Sequence, residues 1–152
     1  MSLEYESDYD RELSNALEKC QFIEDTLRHC IISALDIARL QSPPQTLPKL
    51  KSEDIEKLPL GGLIDAFSKI NDDTALHNDL KEFKQHRNDI AHRSRLFTIG
   101  ELQDETYMKE KTRKMKDIVT HATDLHHRLL EVRWVLLRSL SAAKRTSEKP
   151  HP

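Results

Sequence analysis

Apolar residues in this chain recur at intervals of three and four along two long stretches, and residues spaced that way share one face only on an α-helix. The first stripe is Leu13, Leu17, Cys20, Ile23, Leu27, Ile31, Ala34 and Ile37; the second is Met115, Ile118, Ala122, Leu125, Leu129, Val132, Leu136 and Leu140. Composition points the same way: 33% charged residues, 5% aromatics and only three Gly in 152 residues suit solvated helical faces and disfavour sandwiches or barrels. That length fits one domain whose core needs no metal or disulfide staple. The expected fold is all-α, an up-and-down bundle of four to five helices over residues 10–143. An acidic N-terminal arm (1–9) precedes it and a flexible tail (144–152), lacking apolar periodicity, follows.

The intervening segments read as shorter elements. Ser7-Asp8 is a cap-like start for the first helix, which should end near Leu40. Gln41 to Pro48 carries three prolines and reads as a stiff connector. Ser52, followed by Glu53 and Asp54, looks like an N-cap for a short helix limited by Pro59. Leu63, Ile64, Phe67 and Ile70 then predict a short buried helix, closed by the turn-forming Asn71-Asp72-Asp73-Thr74. Asp73 or Thr74 can cap a helix whose stripe is Leu76, Leu80, Phe83, Arg87 and Ile90. The pattern dissolves from Arg93-Ser94-Arg95 through Gly100, after which the last long helix begins.

Several functions are excluded at this level. Gly61, Gly62 and Gly100 assemble neither a GxGxxG fingerprint nor a GxxxxGK[ST] phosphate loop. No apolar run reaches about 18 residues and no basic-then-apolar leader is present, so neither a membrane span nor a signal peptide is expected, and the protein is expected to be cytoplasmic. Cys20 and Cys30 fall on one helix roughly 15 Å apart, out of disulfide reach, and read as reduced core residues. The eight histidines show no metal-site spacing, and neither a metal nor any other cofactor is expected. His121, His126 and His127 on the last helix read as structural. The run Leu129 to Leu140, with Trp134, reads as core or dimer interface.

Net charge is −2, so the whole-molecule field announces no nucleic-acid partner. The distribution is uneven. Residues 1–25 hold eight acids against Arg11 and Lys19, a local −6, whereas residues 81–95 hold Lys81, Lys84, Arg87, Arg93 and Arg95 against Glu82 and Asp89, a local +3. Such asymmetry fits an anion-binding face or simply a solvated charge run.

A bundle does not specify a function, so function must come from residues that break its packing logic. The clearest break is His86-Arg87-Asn88-Asp89-Ile90-Ala91-His92-Arg93, where Arg87 occupies a stripe position. In a regular helix Asn88 and His92 share a face, while Arg87 and His92 lie about 140° apart. The two converge if Arg87 reaches around, if the helix ends near His92, or if two copies meet across a dimer axis. The last arrangement suits phosphodiester cleavage by a ribose 2′-hydroxyl, which needs a base, an acid and a cation for the developing phosphorane charge.

Arg87 to His92 resembles the R-x4–6-H motif of the HEPN superfamily, all-α domains that include metal-independent ribonucleases of toxin–antitoxin and phage-defence systems. The resemblance runs more loosely over about residues 10–140 and takes in the Leu60-Gly61-Gly62-Leu63-Ile64 element. It implies a homodimer whose motif helices form a shared cleft and an RNA substrate cleaved to a 2′,3′-cyclic phosphate. It also implies a possible antitoxin partner. By that resemblance Arg87 stabilises the scissile phosphate, His92 transfers protons and Asn88 positions either. Members controlled through an adenylylated Tyr carry it two places after the motif His; here that place is Ser94, so such control is not implied.

Around the motif, His86, Arg93 and Arg95 are candidate contacts to substrate phosphates, or else ordinary surface charges. Glu24, between Cys20 and Leu27, is the candidate partner that holds Arg87; its alternative is an exposed flank of the first helix. Arg87 itself reads either as a phosphate ligand or as a stripe-edge arginine paired with an acid, and His92 either as a proton-transfer group or as a structural imidazole. Aromatics near the motif are too few for base stacking. The rival function is a non-catalytic helical module that binds RNA, a nucleotide or a protein partner through the same polar cleft.

Overall fold

The computed structural model describes residues 2–41, 51–94 and 96–148, and these are mostly helical, with no strand among them. Among the described residues six helices follow in order: α1 (Ser2–Gln41), α2 (Ser52–Glu56), α3 (Leu60–Ser68), α4 (Thr74–Arg93), α5 (Ile99–Gln103) and α6 (Glu105–Ser147). The all-α expectation holds. No helix among the described residues is long and apolar enough to cross a membrane. Most of the proline connector, residues 42–50, lies outside the described residues.

Caps set the starts of the later helices. Asp73 accepts from the Leu76 N–H at 3.0 Å, Thr98 from Glu101 at 3.1 Å and Asp104 from Tyr107 at 3.1 Å, each satisfying an amide that the helix's first turn leaves without a partner. At α2 the N-cap is Lys51 rather than Ser52, and Asp54 reaches back to accept from the Lys51 N–H at 3.0 Å. Two boundaries differ from the sequence reading. The expected acidic arm is part of α1, because Tyr9, 5% exposed, extends the buried stripe by one more turn and acids at a helix N-terminus favour the macrodipole. The expected tail is helical through Ser147, with Lys144 and Arg145 placed favourably in the last turn; residues 149–152 lie outside the described residues.

The long helices α1 and α6 make the most extensive contact in the protein and run parallel. Phe22 stacks on His126, the Cys30 Sγ donates to the Leu129 carbonyl, and Leu40 lines a groove with Ser139, so the two chains climb together. Helix α4 runs the other way: Asp79 pairs with Arg128 while His86 meets His121, and Ser94 meets Tyr9. Helix α3 is antiparallel to α4, with Phe67 against His77 and Gly61 beside Lys84. The order is therefore not up-and-down. Arg28 donates to the Leu58 carbonyl at 3.4 Å, which brings the start of α3 back alongside the middle of α1 and lets both helices point the same way.

Burial divides into two clusters. The larger packs Ile23, Leu27, Leu63, Phe67, Leu80, Phe83, Leu125 and Leu129; the smaller packs Tyr9, Leu13, Ala16, Ile90, Met108 and Met115. Leu17 stands 48% exposed because Ala16 takes the inward position, and Ile70 and Trp134 also face out. The boundary between the clusters crosses α4 between Phe83 and Ile90. The polar residues of interest lie along it.

Candidate functional site

Helix α4 runs unbroken through the sequence motif and ends at Arg93, one residue past His92. Leu76, Leu80, Phe83 and Ile90 are buried, which fixes the rotation of the helix and leaves Arg87 at the cluster boundary. There its Nε lies 3.4 Å from Glu24 Oε1 on α1, with side chains 41% and 13% exposed respectively. The second Glu24 oxygen lies 3.8 Å from Arg28, which also bonds Asp25 at 3.2 Å. Glu24 is thus held between two guanidiniums, and Arg87 has its stem against the core and its head partly in water.

Cys20 adjoins this pair. Burial, reinforced by the Glu24 charge and opposed by Arg87, pushes its thiol up to about 11, so it is protonated at neutral pH. Cys30 lies deeper, and burial pushes it up to about 12 against the influence of Arg133. Both thiols are free and buried, as expected.

The remaining motif residues do not gather around Arg87 within one chain. Asn88 is half-buried and His92 exposed. With regular helix up to Arg93, the five-residue spacing keeps about 140° between Arg87 and His92. Arg93 closes α4 but its side chain, like the whole of Arg95, lies outside the described residues. The Tyr9 hydroxyl donates to the Ser94 carbonyl at 2.7 Å, anchoring this end of α4 to α1.

His86 belongs to the opposite flank of α4, facing α6. Its Nε2 lies 3.8 Å from Glu82 one turn earlier, and its ring meets that of His121 edge-on at 6.4 Å. It borders two adjoining grooves. One, of about 310 Å³, is shared with Tyr9, Asp89, Ser94, Lys111 and Lys114; the other, of about 410 Å³, with Glu82, Lys114, Asp117 and His121. The charged lining of the second groove escaped the sequence reading. Glu82 and His86 on α4, and Asp117 and His121 on α6, are each four residues apart, a spacing that puts each pair on one helical face, but only the antiparallel pairing of the helices brings the two faces together.

Elsewhere on α6, Arg128 donates to Asp79, and that hydrogen bond is the main reason the guanidinium is held more firmly protonated, with the Asp79 charge adding to it. His126 is pushed below the usual histidine value by burial against Phe22, with Lys19 and His127 adding to the effect. Compared with protein-family models, curated proteins and solved structures, the chain has no significant match.

Proposed function

We propose that this protein is a metal-independent endoribonuclease of the HEPN type, serving toxin–antitoxin or phage defence and acting as a homodimer through both copies of Arg87, Asn88 and His92. The observation that carries the reading is the Arg87–Glu24 pair: a low-exposure carboxylate from another helix holds the guanidinium by Nε at 3.4 Å while the head stays partly exposed. An arginine engaged through Nε leaves its two Nη groups facing outward as a planar fork, the geometry that receives a phosphate bidentately.

The 140° between Arg87 and His92 favours a cleft built from two chains over one built from a single chain. In that cleft one His92 takes the proton of the ribose 2′-hydroxyl, and the oxygen attacks phosphorus. The P–O5′ bond breaks, the second His92 protonates the leaving 5′-oxygen, and the 2′,3′-cyclic phosphate remains. Arg87 offsets the charge that develops on the phosphorane oxygens. Asn88, on the same face as His92, positions it or the substrate. His86, Arg93 and Arg95 extend the phosphate path. A protein antitoxin is the corresponding partner.

The second reading, a helical module that binds RNA, a nucleotide or a protein without cleaving, is favoured by the same separation of Arg87 from His92 in the single chain. His92→Ala decides between them: with helicity by circular dichroism and dimer mass unchanged, loss of RNA cleavage supports the nuclease. Equal cleavage by both proteins removes His92 from the mechanism, and no cleavage by either supports the module.

A further inference from the structure

The groove between α4 and α6 holds a set of donors that the ribonuclease reading does not use. Asp79, Glu82 and His121 each offer one ligand atom, and these atoms lie within 4.8 Å of one another. They come from two helices packed against each other, so their backbones are fixed by the core residues that alternate with them: Leu80 and Phe83 on α4, Ala122 and Leu125 on α6. The side chains range from half-buried to exposed, which leaves them room to close. Tetrahedral donors around zinc stand about 3.3 Å apart, given bonds of about 2.0–2.1 Å. Rotamer adjustments that close up to about 1.5 Å between partly solvated side chains cover the difference.

The charges around the three donors are mixed: Arg128 pairs with Asp79 and Lys114 lines the groove, against the carboxylates of Glu82 and Asp117. His86 stands edge-on to His121 at 6.4 Å, and Asp117 lines the same groove one helical turn before His121. His86 is the neighbour placed to orient His121 or to add a fourth donor, whereas Asp117 is held by Arg113 at 3.0 Å. Arg128 donates to Asp79 Oδ2 and leaves the other oxygen, so that guanidinium orients the carboxylate without consuming it. Two carboxylates and an imidazole are donors for zinc and its first-row neighbours, whereas sites for magnesium and calcium are built from oxygen alone.

We propose that Asp79, Glu82 and His121 form a binding site for one first-row divalent cation of the zinc class, open on its solvent side, which clamps α4 to α6. It is separate from the proposed reacting groups, because Arg87 faces α1 on the other flank of α4; among the described residues His86 alone borders both the cation site and the proposed phosphate path. Its consequence is mechanical: a cation there fixes the motif helix from the side opposite the Glu24 contact.

The test is titration of the untagged 152-residue chain with zinc chloride alone, read by calorimetry and by thermal melting, with no RNA present. Wild type is expected to bind one equivalent per chain and to melt at a higher temperature as zinc is added. His121→Gln and Glu82→Gln should each weaken binding about tenfold or more and remove the melting shift. Glu82 is 64% exposed, so its replacement leaves folding intact. His126→Gln, outside the cluster, should bind as wild type does. Absence of saturable binding by wild type overturns the proposal, as does equal affinity in wild type, His121→Gln and Glu82→Gln. Neither result bears on RNA cleavage, which is read separately in chelator.

Discussion

The Glu24–Arg87 pair should show a measurable energetic coupling, because its geometry brackets the interaction. At 3.4 Å two unit charges attract by about 1.2 kcal/mol in bulk water and about 5 kcal/mol at an effective dielectric of 20. Arg87 is 41% exposed, and Arg28 shares the same carboxylate at 3.8 Å, so the pair belongs toward the weaker end. A coupling of about 1 kcal/mol follows. The assay is a double-mutant cycle of Glu24→Gln and Arg87→Met in urea, Met being chosen to keep an unbranched apolar stem. Arg87→Met should cost more than Glu24→Gln, since it leaves a largely buried carboxylate with Arg28 alone, whereas Glu24→Gln leaves a guanidinium that water reaches. In a domain of this length about 1 kcal/mol moves Tm by roughly 2–4 °C. Raising salt to 1 M, where screening acts over about 3 Å, should cut the coupling by about half or more. A coupling below about 0.3 kcal/mol, the ordinary error of additivity, would show that Glu24 does not hold Arg87 and remove the support on which the proposed phosphate fork rests.

Other outcomes follow from single contacts. At pH 8 thiols with values of about 11 and about 12 are ionised to roughly a thousandth and a ten-thousandth, against about a quarter for a free cysteine, so Cys20 and Cys30 should resist Ellman's reagent until urea unfolds the chain; rapid labelling of the native protein would refute their burial. His126 has a native value below 6.5, so below neutrality the unfolded chain takes up its proton first. The stability this group contributes is fully present above that window and falls as pH drops through 6.5 toward the native value. His126→Gln should flatten that part of the stability–pH curve, and an unchanged slope would contradict the assignment. At Gly61 an added Cβ would meet only the far end of Lys84, at 2.9 Å, which can swing into solvent. Gly61→Ala should therefore leave the protein as stable or more stable by about 0.5–1 kcal/mol in urea, and a loss above 1 kcal/mol would mean that α3 and α4 pack more tightly than described.

What could be read from the sequence was what rests on local pattern. The stripe in α1 from Leu13 to Ile31 and the Asp73 cap follow from rules that act over one or two turns, and both are present apart from Leu17. Tyr9 went unread as core because its neighbours Asp8 and Asp10 mask the stripe. Helix α5 was missed for a different reason: it buries no residue and so leaves no apolar pattern, and its cap, Thr98 to Glu101, is its main signal. Direction was illegible. Whether α1 and α6 run parallel depends on where the chain re-enters after Gln41, and the contacts there are long-range: Leu60 and Leu63 pack with Ile23 and Leu27, and Arg28 reaches the Leu58 carbonyl thirty residues away. The candidate site divides the same way. Glu24 could be picked out as a partner for Arg87 because it adjoins an apolar row, whereas the grouping of Asp79 and Glu82 with His121 joins residues about forty apart on antiparallel helices, which no spacing rule records.

The central claim is that Arg87 and His92 from two chains cleave RNA without a metal. It is tested most directly by incubating the wild-type protein and His92→Ala with labelled tRNA and with total RNA in excess EDTA, and determining the fragment ends. The account expects fragments from wild type alone, carrying a 2′,3′-cyclic phosphate on one side of the break and a 5′-hydroxyl on the other. Cleavage that disappears in EDTA, that leaves a 5′-phosphate, or that His92→Ala performs as well as wild type would contradict it.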